Sequence, residues 1–300
     1  MVPQDLISEV AEFVREMDGS GSCRKTGVNG VFAFCSDTPT QFEATFYVPF
    51  MGLVLQGAKE AQMEDRVIRY SAGMSLILSH ALPVNVRVID ASPEKPYVAL
   101  AALLDLATAR SLYDEVGSIE NQEQAIYSMS VAEGDAALTD AMARLFRLSR
   151  DPAEVQALAP LVLKEIHFRL MRAKHGGMMR QLLLQESPAS RISRAISRIR
   201  TDYKTSIAMA ELATAAGMSQ SSFYEHFKSF TSTTPLQYQK ELRLLEARRL
   251  LQCGGKSVAS TAYDVGYESP TQFSREYARK FGISPKDEKA GSAVPLFISE

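Results

Sequence analysis

The feature that most constrains this chain is an internal repeat in its last third. ELATAAGMSQSSFYEHFKSFTSTTP, from Glu211 to Pro235, aligns with STAYDVGYESPTQFSREYARKFGISP, from Ser260 to Pro285, at an offset of 49 to 50 residues. The alignment superposes Ala213 on Ala262, Gly217 on Gly266, Phe223 on Phe273, Phe227 on Tyr277 and Pro235 on Pro285. Each copy reads as a short small-residue helix, a glycine where the chain leaves that helix in a left-handed conformation, and a second helix capped by Ser219 or Ser269. In the second copy Pro270 stands at the first helical position and Gln272 at the third, a capping-box spacing. This is helix-turn-helix grammar, written twice.

The aromatic pair in each second helix, Phe223 with Phe227 and Phe273 with Tyr277, is spaced four residues apart and lies on one face. Beside a small-residue helix that face reads as core rather than as a base-stacking surface. The opposite face is then polar, with Ser221, Tyr224, Glu225 and Lys228 in the first copy and Thr271, Gln272, Arg275 and Arg279 in the second. A major groove accepts a helix, and such side chains reach base edges and phosphates. Between the copies, Pro235 to Gln252 reads as one connecting helix, capped by Thr234, with Tyr238, Leu242 and Leu245 at helical spacing and Gly254 and Gly255 as its stop. Eighteen residues at 1.5 Å each span roughly 27 Å, near the ~34 Å between successive major grooves.

Charge divides the chain in the same place. Residues 1–189 hold 17 Lys+Arg against 24 Asp+Glu, a net of −7, whereas 190–300 hold 16 against 11, a net of +5. An acidic module joined to a basic one places a polyanion partner on the second half. A length of 300 residues fits two such modules, and 46% hydrophobic with 23% charged residues is a globular composition. The longest strictly apolar run, Val98 to Leu104, has seven residues against the roughly 20 a bilayer requires, so no membrane partner is expected. No basic segment precedes an apolar stretch at the N-terminus, which makes the cytoplasm the expected location.

From Ile192 to Lys286 the two motifs, the connecting helix and the closing Gly-Ile-Ser-Pro resemble the DNA-binding domain of AraC/XylS-type transcription regulators. The resemblance implies a seven-helix domain bound to double-stranded promoter DNA. It carries base contacts onto Ser221, Tyr224 and Glu225 in the first recognition helix and Thr271, Gln272 and Arg275 in the second. Ser219, Lys228, Ser269 and Arg279 are the expected phosphate contacts. Glu225 departs from the family's usual basic or amide-bearing residue, so the first helix either reads a cytosine amino group or mainly positions the protein. An activator that touches RNA polymerase, working as a homodimer, is implied by the resemblance alone.

The first half follows a different period. Ala44 to Gly57, Asp65 to Ser79 and Leu82 to Ala91 are rich in β-branched and aromatic residues and are punctuated by Gly57, Glu64-Asp65, Gly73 and Pro83. The expected fold class is therefore α+β, a small antiparallel β-barrel with helices followed by an all-α domain with two helix-turn-helix motifs. The tract from Thr45 to Leu100 resembles the cupin-like N-terminal module of one AraC-type subfamily, which implies an effector and dimerisation domain. Phe46, Val54, Tyr70 and Leu76 are the candidate lining of a mostly apolar effector pocket, with Val67 and Ile77 on the same strands, though a small barrel is as readily filled by its own side chains.

Catalysis gains little support. Metal cupins need clustered imidazoles and a carboxylate, whereas this chain has four histidines, His80, His167, His175 and His226, and no His-x-His pair. His80, alone in the strand region, reads as a surface or hydrogen-bonded residue rather than a ligand. No phosphate-cradling, dinucleotide or nucleophile-elbow motif occurs, and neither a cofactor nor a metal is expected. Cys23, Cys35 and Cys253 are too few and scattered for a disulfide framework. Cys35 reads as buried and Cys23 as an exposed loop thiol. Lys25 and Lys59 are candidates to pair with an acidic effector inside the barrel, although a solvated lysine is the commoner state.

After the barrel, Leu138, Met142, Leu145 and Leu148, and then Val155, Leu158, Leu161, Val162, Ile166 and Leu170, form helical stripes, the second capped by Asp151. These pack on their own domain or present a surplus face to a second subunit. The expected division is a cupin-like domain over 1–178, a hinge over 179–190, a DNA-binding domain over 191–288 and a tail over 289–300. Within it the first motif covers about 209–230, the connecting helix about 235–252 and the second motif about 257–280. A small-molecule-controlled regulator is the leading reading. The alternatives are a metabolite-modifying cupin-type enzyme with an appended DNA module, or a regulator whose first half only dimerises.

Overall fold

The computed structural model describes residues 2–16, 23–64, 66–116 and 127–288; the tail 289–300 and Asp65 lie outside them. Helix α1 (Gln4–Arg15) is followed by nine strands, β1 (Cys23–Lys25), β2 (Val31–Ser36), β3 (Glu43–Tyr47), β4 (Phe50–Gln56), β5 (Ala58–Met63), β6 (Arg66–Ser71), β7 (Met74–Leu78), β8 (Leu82–Asp90) and β9 (Tyr97–Leu103). Helix α2 (Leu106–Val116) and strand β10 (Met129–Glu133) complete the β region. The strands form two antiparallel sheets, one ordered β1-β2-β9-β4-β7-β10 and the other β3-β8-β5-β6. The apolar tracts split at their punctuation: Val48-Pro49 sends β3 and β4 into different sheets, and the Gly73 turn divides β6 from β7. An α+β fold with an antiparallel N-terminal unit is thus as the sequence implied.

Alternation sorts the side chains. In β9, Tyr97, Ala99 and Ala101 face the second sheet, while Val98, Leu100 and Ala102 face outward onto Leu6, Val10 and Val14 of α1. Two further helices, α3 (Ala136–Leu148) and α4 (Pro152–Arg172), join that outer core through Leu138, Met142, Leu145, Val162, Ile166 and Leu170. Asp135 and Asp151 cap them by accepting the backbone N–H groups of Ala137 and Ala153. Leu158 and Leu161 of the α4 stripe are 42% and 64% exposed, so one apolar flank of this helix has no partner within the described residues.

Helix α5 (Gly177–Leu183) runs into the segment expected as a hinge, with Met178, Met179, Leu182 and Leu183 buried. Six helices follow: α6 (Pro188–Asp202), α7 (Met209–Ala215), α8 (Gln220–Thr231), α9 (Pro235–Gln252), α10 (Val258–Asp264) and α11 (Pro270–Phe281).

The helical part is docked on the second sheet, and one continuous core runs from Val84 and Val86 through Phe46 to Phe223, Phe227 and Leu242. Tyr238 of α9, fully buried, donates its hydroxyl to the Ala81 carbonyl at 2.8 Å and packs edge-on against Phe46 and Phe227, with centroids at 5.9 and 5.6 Å. His80 lies in the same seam, 1% exposed and stacked on Phe230. Its Nε2–H points to the Ala189 carbonyl, and its Nδ1 meets the Ser79 and Ser128 hydroxyls at 3.1 and 2.9 Å. Burial pushes its pKa from 6.5 down to about 4, so the ring is neutral. His80 is therefore a satisfied histidine of the seam between the two halves.

Candidate nucleic-acid interface

Both helix-turn-helix units form from local rules. Gly217 (φ +62°) ends α7 and Gly266 (φ +89°) ends α10, and a Cβ at Gly266 would run into the Lys204 carbonyl. Ser219 and Ser269 cap α8 and α11 by accepting the N–H groups of Ser222 and Gln272, each at 3.3 Å. The capping box at α11 is only half formed. Gln272 turns its side chain forward to Glu276 at 3.1 Å, because that carboxylate also gathers Tyr267 and Lys240. Burial works against the Glu276 carboxylate, but hydrogen bonds from Gln272 and Tyr267 and the charge of Lys240 hold its pKa below the ordinary value.

Phe223, Phe227, Phe273 and Tyr277 are fully buried, which makes the aromatic faces core. The opposite faces are open: Ser219, Ser221, Tyr224, Glu225 and Lys228 on the first unit and Thr271, Gln272, Arg275 and Arg279 on the second are exposed, and Ser269 is half-buried. Arg275 leans back along its own helix, its Nε–H donating to the Thr271 carbonyl at 3.4 Å. The Ser219 and Ser269 oxygens are engaged as caps, which leaves each hydroxyl proton to donate.

Long-range anchors hold the two units, and the sequence offered no signal for them. Arg191 of α6 donates to the Gly217 carbonyl at 2.6 Å, pinning the first turn. Arg243 and Gln239 of α9 both donate to the carbonyls of Tyr203 and Thr205, the loop whose Lys204 carbonyl abuts Gly266. Lys240 with Glu276 and Lys280 with Glu241 tie α11 to α9. The connecting helix is thus a splint between the units.

The β unit holds a second candidate site. A cavity of about 30 Å³ between the sheets is lined by Val54, Tyr70 and Leu76 of the predicted set, together with Tyr47, Lys59 and Tyr97. Phe46 does not line it. Neighbouring residues of a strand point to opposite faces, so with Tyr47 turned inward Phe46 must turn outward, onto Tyr238 and Arg200. Val67 is likewise an outer-face residue, 53% exposed, and Ile77 belongs to the other core. Lys59 corrects the expectation of a solvated lysine, since its ammonium sits among the rings of Phe34, Tyr47 and Tyr97 at 5.9 Å each. Lys25 is exposed.

Cys23 corrects the expected loop thiol: it lies in β1, where burial pushes its pKa up to about 12. Cys35 is buried as expected. Among the described residues no three His, Cys, Asp or Glu gather as metal ligands, and no helix is long and apolar enough to cross a membrane.

Residues 27–178 match the family model of the AraC-type transcriptional regulator N-terminus. The chain belongs to the AraC-type transcriptional regulators. Residues 212–290 of this AraC-type chain match a helix-turn-helix domain model. It is 27% identical over 111 residues to the transcriptional activator RhaS of Escherichia fergusonii, covering 37% of this chain and 40% of that protein. It is 29% identical over 117 residues to RhaS of Escherichia coli O139:H28, covering 38% and 42%. The match thus spans about two fifths of these curated relatives. In fold, the chain is similar to unsaturated fatty acid-bound wild-type ToxT from Vibrio cholerae strain SCE256, at TM-score 0.56 and 10% identity over 90% of this chain and 99% of that one. A second ToxT structure from Vibrio cholerae gives TM-score 0.55 and 11% identity over 89% and 97%.

Proposed function

We propose that this AraC-type chain is a sequence-specific, double-stranded DNA-binding regulator of transcription, an activator in the manner of RhaS, controlled by a small molecule in its N-terminal unit. The carrying observation is the pairing of two helix-turn-helix units, each with its aromatic face buried and its polar face open, along one rigid connecting helix. Ser221, Tyr224, Glu225, Thr271, Gln272 and Arg275 read base edges, while Lys228, Arg279 and the two capping serines contact phosphate. The cytoplasm is the location and RNA polymerase the partner that follow from this role. The domain division is 1–178 for effector binding and dimerisation and 191–288 for DNA, with the segment between them carrying the signal. The exposed Leu158 and Leu161 on α4 support a homodimer formed along that helix.

Genome-wide mapping of bound sites, followed by titration of the purified chain on the recovered duplex and on a scrambled one, tests the reading. A preference of at least about 10³-fold for the recovered duplex is expected of a specific binder. Equal affinity for both refutes it.

A further inference from the structure

We propose that the cleft between strand β10 and the C-terminal turn of α4 binds a small zwitterion, an α-amino acid or short peptide, whose carboxylate meets Arg172 and Lys174 and whose ammonium meets Glu133 and Asp135. The proposal rests on the effector role above and adds the place of the site and the chemistry of the ligand. The cleft holds about 730 Å³, within the roughly 300–1,000 Å³ usual for small-molecule pockets. It lies on the outer face of the first sheet, away from the space between the sheets: in β7 Leu76 points into the inter-sheet core, so Ser75 points the other way, into the cleft floor. There the Ser75 hydroxyl meets His175 Nε2 at 3.0 Å, both residues being buried, and His175 Nδ1 has no hydrogen-bond partner among the described residues.

The walls carry opposite charges that do not neutralise each other. Glu133 and Asp135 stand on one side and Arg169, Arg172 and Lys174 on the other, with no ion pair across the cleft among the described residues. Arg169 is held by Glu165 at 2.7 Å, and His175 is neutral because burial pushes its pKa down to about 4. Two cations are thus left facing two carboxylates. A guest with a single charge would satisfy one wall and be repelled by the other, whereas a zwitterion satisfies both. Between the walls Ala132, Leu138 and Phe168 offer apolar surface to its side chain.

Both walls are held in place before a guest arrives. Gly134 donates its N–H to the Gly73 carbonyl at 2.6 Å, and Asp135 caps α3 through one carboxylate oxygen, which leaves the other to a ligand. Opposite, Arg180 of α5 donates to the carbonyls of Met171 and Ala173 at 2.6 and 3.2 Å. The same helix packs Met178 and Leu182 against Ala189 of α6 and Phe230 of α8. A zwitterion that draws the walls together therefore pulls on the element that joins the cleft to the first recognition helix.

The test is thermal unfolding of the full-length chain with each standard L-amino acid and with the dipeptide Ala-Ala. The compound that stabilises most is then titrated calorimetrically beside its N-acetyl and its C-terminal amide forms, on wild type, on the double variant Arg172→Gln/Lys174→Gln and on Glu133→Gln. All three substituted side chains are exposed, so the fold is retained. At least one zwitterion raises the wild-type midpoint, removal of either of its charges weakens binding by about tenfold or more, and each variant weakens it by a similar factor. The proposal is overturned when no member of the panel stabilises the wild type, when a form with one charge binds as tightly as the zwitterion, or when either variant binds it unchanged. Affinity of the wild type for the recovered duplex is read separately, so an empty cleft is distinguishable from failure of the regulator reading.

Discussion

Tyr238 is the sharpest probe of how the two halves are joined. Tyr238→Phe keeps both edge-on ring contacts and removes only the hydroxyl donated to Ala81 at 2.8 Å. A buried hydrogen bond whose acceptor is left behind is worth about 1–2 kcal/mol, so unfolding free energy falls by that amount. Tyr238→Ala also deletes a fully buried ring between Phe46 and Phe227, and the loss grows to about 3–5 kcal/mol. Phe46→Ala removes the facing ring from the β side, and the double variant loses less than the sum by a coupling of about 0.5–1.5 kcal/mol. Urea unfolding followed by far-ultraviolet circular dichroism reads these values, since the chain has no tryptophan. One transition is expected, because a single core crosses from the second sheet into the first helix-turn-helix unit. A Tyr238→Phe midpoint equivalent to within about 0.3 kcal/mol of wild type, or strict additivity of the two alanine variants, refutes the seam as a source of coupling.

Burial lowers the pKa of His80 and of His175 from 6.5 to about 4 each, so the unfolded chain binds more protons between those values. Stability is then full above about pH 6.5 and declines toward pH 4 by up to about 3 kcal/mol per histidine, and a urea midpoint that does not fall between pH 7 and pH 5 contradicts this. For DNA, Arg275→Ala weakens the specific duplex by about 1–3 kcal/mol and relaxes preference at one guanine, whereas Lys228→Ala weakens all sequences alike and lowers the salt slope by about one. Binding isotherms on cognate and scrambled duplexes at several salt concentrations separate them, and equal weakening of both duplexes by Arg275→Ala removes its base-reading role. Leu161→Arg, on the exposed α4 flank, converts a dimer to a monomer in sedimentation with the fold intact; an unchanged sedimentation coefficient moves the dimer contact elsewhere.

The helical units were legible residue by residue. Gly217, Ser219, the Phe223–Phe227 pair, Thr234 and Pro235 act through contacts at most four residues apart, and helix grammar is local for that reason. The same local physics located the β-rich tracts but not their partners. Strand pairing is long-range, and side-chain facing has a period of two, so the break at Val48-Pro49 was needed to decide that Tyr47 faces the cavity and Phe46 faces Tyr238. In sequence Lys59 was one ordinary lysine among others; only the closing of β5 and its neighbours over it set its ammonium among three aromatic rings. His80 likewise took its meaning from Ala189, 109 residues away, and Tyr238 from Ala81, 157 residues away. The sequence by itself determined the grammar of each recognition unit, because neighbours along the chain write it. Tertiary structure alone decided what lies in the cavity and along the seam, because those contacts join residues whose separation no local pattern encodes.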